Sequence, residues 1–272
     1  MPFTPSHAVV ALPFVRTPLV PAAIAVGAMT PDVPLFVRGT AISYAGTHDP
    51  RWVPGTVLLA LALLVIWRLL LRPSVRELSP ACLARRVPVE WDRGLRRTMQ
   101  ETFPRSMSRI ALLVLSLLIG VASHIAWDAF THEGRAGSLL IPALGEQWGP
   151  LAGYTWLQHG SSVVGLLILG VWLILRLRQQ PVDESIPRLL PSSVRVGWWL
   201  SLPVVLALAW GTGLAVDGPL RPDFTIAHLG YRVLPPAVAM WGLLTLVLCI
   251  VLQAFRSWRP GGTKRDTPGM RP

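Results

Sequence analysis

The chain has 272 residues, 52% of them apolar and only 14% charged, with a positive mean hydropathy of +0.50. An ordinary soluble domain carries about a quarter charged residues, so a soluble domain of this size is excluded, as are disordered, collagen-like and disulfide-scaffold chains. Cys82 and Cys249 stand far apart with no CxxC context, which leaves neither a disulfide framework nor a thiolate zinc site.

What remains is an all-α polytopic membrane bundle, a single domain over residues 1–258. Its first apolar stretch, residues 8–29, is interrupted by Pro13, Arg16, Pro18 and Pro21. Proline removes a helical hydrogen bond and clashes with the preceding turn. The stretch therefore predicts two short helices, either lying at the interface or folding back into the bundle. No basic start precedes it, so it does not read as a cleaved signal peptide. Residues 1–52 as a whole are assigned to short helices and loops on the outer side.

Five later runs have the length and apolarity of membrane spans, which need about 20 residues. They are Val53–Arg72, Ile110–Phe130, Ser161–Leu177, Val196–Val216 and Val233–Phe255. Between the first two lies a long basic loop, 73–109, with amphipathic turns around Trp91–Met99, read as a surface on lipid headgroups. No repeat of 20–50 residues is visible, and the Pro/Gly-rich tail 259–272 is expected to be disordered.

The net charge is +11, and 24 of the 25 cations are arginine. Their placement argues against nucleic acid as a partner. Segments 67–109, 176–195 and 256–271 hold 19 cations, against six (Arg16, Arg38, Arg51, Arg135, Arg221 and Arg232) in the remaining loops. By the positive-inside rule the basic segments are cytoplasmic, with the N-terminus outside and the C-terminus inside. The basic excess then faces anionic membrane lipids, the expected partners.

All six histidines fall on the outer side or at outer helix ends. The strongest local feature is Ser123-His124-Ile125-Ala126-Trp127-Asp128-Ala129-Phe130-Thr131-His132. Residues four apart share a helix face, so His124 and Asp128 can reach one cation. Their nitrogen and oxygen donors suit Zn²⁺ or another first-row metal. The alternative is a hydrogen-bonded pair that braces helix packing, although ionisable groups in a membrane helix usually mark function. His132 can join only if the helix breaks first, and Thr131-His132-Glu133-Gly134 has the form of such a break, with Gly134 suited to a left-handed close. His7, Asp32 and His48 could complete a mixed His/Asp site. His159, in Gln158-His159-Gly160-Ser161-Ser162, is either a further ligand, a catalytic proton donor or a plain interfacial histidine. His228 reads as structurally incidental.

Four motifs in order carry a resemblance: Met1-Pro2-Phe3-Thr4-Pro5-Ser6-His7, Gly27-Ala28-Met29-Thr30-Pro31-Asp32, Gly120–His132 and Gln158–Ser162. Together they resemble the bacterial membrane-protein family called domain of unknown function 4184, over most of the chain. More distantly, the order His, Pro-Asp, Thr-His, HxxxD resembles membrane-bound metal-dependent hydrolases, which in turn resemble the all-helical zinc phospholipase C fold. That likeness implies His7, Asp32, His48, His124 and Asp128 as metal ligands, with zinc as the metal. Two departures stand against it: Pro34 occupies the place of a second Asp, and Asp49 follows His48 where serine is usual.

These readings lead to an expected membrane-embedded metal-dependent hydrolase at the outer face of the bacterial cytoplasmic membrane, acting on a lipid or membrane-associated ester. A non-catalytic protein with a structural or partner-binding cluster is the first rival. A small ion- or proton-coupled transporter ranks third, since no other span carries a mid-membrane charge. Trp127, Trp148, Tyr154 and Trp156 fit an interfacial belt.

Overall fold

A computed structural model describes residues 3–258 except Arg93, Ser185 and Pro187, so the expected disorder of 259–272 falls outside the described residues. The described residues are 77% helical. A 3-10 segment, Thr4–Phe14, is followed by helices α1 (Pro21–Met29), α2 (Val53–Ile66), α3 (Leu95–Thr102), α4 (Met107–Thr131), α5 (Gly153–Arg178), α6 (Ser192–Asp217) and α7 (Ile226–Trp258). Among the described residues, five helices are long and apolar enough to cross a membrane: α4, α5, α6, α7 and α2 with its flanking turns. A two-residue hairpin, β1 (Gln147–Trp148) and β2 (Leu151–Ala152), is antiparallel and precedes α5.

The N-terminal stretch folds back into the bundle. Near its start the Thr4 hydroxyl donates to Asp32 Oδ2 at 2.7 Å, so residues 4 and 32 lie at one level. At the other end, the Val20 amide donates to Ser116 Oγ at 2.9 Å, and Pro18 shares a cavity with Arg68 and Arg109. Residues 8–29 thus descend and return without crossing as a separate span. Arg16, counted above with the outer loops, sits in the turn at the opposite end, beside Pro18. That position puts one more arginine at the basic end of the bundle and sharpens the charge asymmetry.

Small residues make this hairpin possible. A Cβ on Gly27 would lie 2.5 Å from the Leu117 carbonyl oxygen, and one on Gly120 would collide with the Ile24 carbonyl oxygen. The backbones of α1 and α4 therefore touch, as small residues allow between helices in lipid. Ala23, Ala60, Leu64, Leu113, Leu117 and Val121 close the apolar core around that contact. On the other flank Gly165 of α5 lets the 3-10 segment approach, and the Phe3 amide donates to Ser162 Oγ.

Two helices run further than their prolines suggest. The first span continues past Arg72 to Leu78, because a π-helical stretch over Trp67–Leu71 widens the turn ahead of Pro73. The last begins at Ile226, upstream of Pro235 and Pro236. Pro235 cannot donate to the Tyr231 carbonyl, and Arg38 donates to it instead at 2.6 Å while lying over the Tyr231 ring. The third span also starts earlier, at Gly153, which brings Gln158 and His159 into the helix.

The basic loop is more than a surface on headgroups. Arg76 and Glu77 are buried in it. Arg76 pairs with Asp92 at 2.8 Å and Asp183 at 3.4 Å, and Glu77 accepts from the Leu190 amide and pairs with Arg256 of α7. These bonds tie the loop to the 182–190 connection and to α7. Along the bundle, α6 and α7 exchange indole bonds, Trp198 to Thr245 and Trp241 to Ser201.

Gly120→Ala is expected to cost about 1–3 kcal/mol through overpacking, whereas Gly170→Ala, whose Cβ meets nothing within 4 Å, leaves stability unchanged or slightly raised. Thermal unfolding of both variants in one detergent checks the contrast.

Candidate metal centre

Three elements converge on α4. His124 and Asp128 stand one turn apart on it, and both are buried. The helix ends at Thr131, and His132 is already extended, with Gly134 at φ +68° closing the turn as expected. Asp32 ends the 3-10 turn Thr30–Asp32 that follows α1 and is 1% exposed. His48 ends a short helix, Tyr44–His48, capped by Ser43. The Thr47 hydroxyl docks that helix by donating to the Pro31 carbonyl at 2.7 Å, which sets His48 beside the Asp32 turn.

Asp32, His48, His124 and Asp128 each offer one ligand atom, and these atoms all lie within 4.8 Å of one another. The His48 and His124 Nε2 atoms are 3.2 Å apart. Each lies 3.4 Å from Asp128 Oδ2, and His124 Nε2 is 3.6 Å from Asp32 Oδ1.

The tautomers follow from the backbone. His124 Nδ1 is 2.7 Å from the Ala28 carbonyl oxygen, and His48 Nδ1 is 2.9 Å from that of Tyr44. A carbonyl only accepts, so both Nδ1 atoms carry the proton. Neutral imidazoles then turn two Nε2 lone pairs toward each other and toward two carboxylates. Such a set of acceptors is unfavourable in a buried place unless a cation or added protons sit among them. A ring N–H held by a backbone carbonyl is also the usual outer support of a metal-ligating histidine.

Of the remaining predicted residues, His7 adjoins the group and two lie outside it. The His7 ring tilts over His124 at 4.1 Å between centroids. Its Nε2 faces Asp128 Oδ1 across 3.9 Å, and neither atom has a hydrogen-bond partner among the described residues. His132 turns Nδ1 to the Asp128 carbonyl and Nε2 to the Gln158 side chain, both at 3.2 Å, so its nitrogens are engaged elsewhere. Its Nδ1 also lies 3.6 Å from Asp128 Oδ2, the carboxylate oxygen that His48 and His124 share. His159 is exposed on α5 and apart from the group.

Tyr44 and Thr4 belong to the site although nothing in their local pattern singles out their side chains. The Tyr44 hydroxyl donates to Asp128 Oδ2 at 3.3 Å, its ring stacks on His48, and burial raises its hydroxyl pKa above the ordinary value. The Thr4 hydroxyl holds the second oxygen of Asp32, whose pKa burial raises.

Helices long enough to cross a bilayer, with a buried His/Asp group able to hold a metal ion, define a polytopic membrane protein with a candidate metal centre. Residues 1–255 match the family described as domain of unknown function (DUF4184), and the chain belongs to that family. No curated protein and no solved structure matches it.

Burial, and then the neighbouring His124, hold the His7 pKa down at about 4, whereas an unfolded histidine titrates near 6.5. The unfolded chain therefore binds the extra proton first on acidification. The stability that His7 contributes is intact above pH 6.5 and is lost progressively between 6.5 and 4. Metal-stripped protein is expected to melt lower at pH 5 than at pH 7.5, with a smaller drop in His7→Gln; thermal unfolding in detergent reads both.

Proposed function

We propose that this protein is a membrane-embedded metal-dependent hydrolase that cleaves a lipid or other membrane-associated ester, most simply a phosphoester. The observation that carries the reading is the convergence of two imidazole lone pairs and two carboxylates in a buried place. Zinc suits a donor set of two nitrogens and two oxygens. When bound, such a metal supplies Lewis acidity to an ester oxygen and lowers the pKa of water.

The chain's own groups have separate tasks in this scheme. The Ala28 and Tyr44 carbonyls orient the two ligating imidazoles through their Nδ1 protons. Thr4 and Tyr44 donate to the carboxylates and keep them aimed. His7, uncharged and with a free Nε2 beside Asp128 Oδ1, is the group in reach to take or return a proton at that edge. The arginine asymmetry supports an outer-face site in a bacterial cytoplasmic membrane, with the N-terminus outside and the C-terminus in the cytoplasm.

One observation favours a second, non-catalytic reading. His124 Nε2 lies within 3.6 Å of both carboxylates, so an imidazolium there would bridge them, offset one of their two charges and brace the N-terminal hairpin on α4.

Elemental mass spectrometry of the detergent-purified protein separates the two. Near-stoichiometric zinc or manganese is expected in wild type, lost in His124→Ala and Asp128→Ala with helicity retained; hydrolysis of lipid phosphoesters should be lost with it. A well-folded wild type that takes up no metal after reconstitution would leave the bracing role.

A further inference from the structure

We propose that the substrate is an acyl-chain lipid with an anionic phosphoester head, and that it enters sideways from the bilayer. Its chain lies in a groove between the 3-10 segment, α4 and α5. The inference rests on the hydrolase reading, because it names the substrate class of that same site.

The groove encloses about 390 Å³ and has ends of different chemistry. At the level of the metal centre its walls are His7, Ser123 and Ser161. Further along they are Val10, Val164 and Ile168. Helix α5 fixes this order. Its Gln158 bonds to His132 beside the centre, and Ser161, Val164 and Ile168 then follow at roughly 1.5 Å per residue away from it. The 3-10 segment runs the same way from His7 to Val10. A polar mouth at the cluster and an apolar floor leading away from it match the two ends of a lipid.

The surroundings decide what can enter. Val164 and Ile168 are 55% and 46% exposed in the isolated chain, yet both sit on a helix long and apolar enough to cross a membrane. Hydrocarbon, not water, therefore borders the open side. The wall shared by groove and centre is the His7 side chain, 6% exposed, with its Nε2 unpartnered. At the mouth, two carboxylates charge-balanced by a divalent cation would leave that cation to bind an anionic head. A lipid that fills the groove from the side thus brings its phosphoester to His7, a buried histidine whose Nε2 has no partner among the described residues.

The test uses the full chain in vesicles of phosphatidylethanolamine and phosphatidylglycerol bearing a diazirine on one acyl chain. After irradiation, adducts are mapped by peptide mass spectrometry, and metal content is measured on the same samples. Adducts on the Thr4–Phe14 segment are expected in wild type. They should be lost in Val164→Trp and Ile168→Trp, which fill the groove, and retained in Leu167→Trp, which is exposed on the same helix outside the groove. Three results would overturn the proposal: adducts spread over α5, α6 and α7 with none on Thr4–Phe14, adducts indifferent to the filling variants, or a second copy of the chain crosslinked in the groove. Groove labelling without metal would sink the hydrolase reading and leave lipid binding. Metal without groove labelling would do the reverse.

Discussion

The contact between α1 and α4 at Gly27 and Gly120 is the constraint on which the site depends. Two helix backbones meet there with no side chain between them, because any Cβ would strike a carbonyl of the partner. The closeness has a chemical consequence one residue further on. It brings the Ala28 carbonyl to 2.7 Å from His124 Nδ1, and that bond decides which ring nitrogen keeps its lone pair. It also delivers Asp32, four residues beyond Ala28, to the same face of α4. A helix pair held at an ordinary distance of about 8–10 Å by larger side chains would separate the ligands by more than an ion can bridge.

The opposite end of the bundle uses a different chemistry for the same purpose. Arg76 and Glu77 are buried, and burying a charge costs several kcal/mol unless it is paired and hydrogen-bonded. Asp92, Asp183, Arg256 and the Leu190 amide supply those partners from three separate stretches of chain. The network therefore specifies which loop meets which helix. Between the two polar ends, α5, α6 and α7 show long rows of exposed leucine, isoleucine and valine, an apolar surface of the length and composition of membrane spans. The last helix shows the same logic once more, where Arg38 meets the Tyr231 carbonyl that Pro235 leaves free.

Much of the fold was legible in the amino-acid pattern. Spans in lipid must be apolar for about 20 residues, so their number and approximate bounds can be read along the chain. Two bounds differ: the first span runs past Pro73 to Leu78 through a π turn, and the last begins at Ile226, seven residues ahead of Val233. The pair His124 and Asp128 was legible because i and i+4 share a face, and the helix break before His132 was legible from Gly134. His159 and Gln158 show the limit. They are neighbours on one helix, about 100° apart around its axis, and only the packing of α5 against α4 turns Gln158 inward and His159 out.

Composition and local spacing by themselves determined an all-α membrane bundle, the HxxxD face on one helix and the asymmetric placement of arginine. These rest on interactions within a few residues or on transfer from water to lipid, both of which a linear pattern records. Only the tertiary structure decided that the N-terminal stretch descends and returns, that Asp32 and His48 join His124 and Asp128, that Tyr44 and Thr4 steady them, and that an apolar groove ends at His7. Those outcomes depend on contacts between residues up to 159 positions apart, such as Phe3 with Ser162. Each exists because a glycine, a hydroxyl or a carbonyl on another element happens to complete it, and nothing in the local sequence encodes that partner.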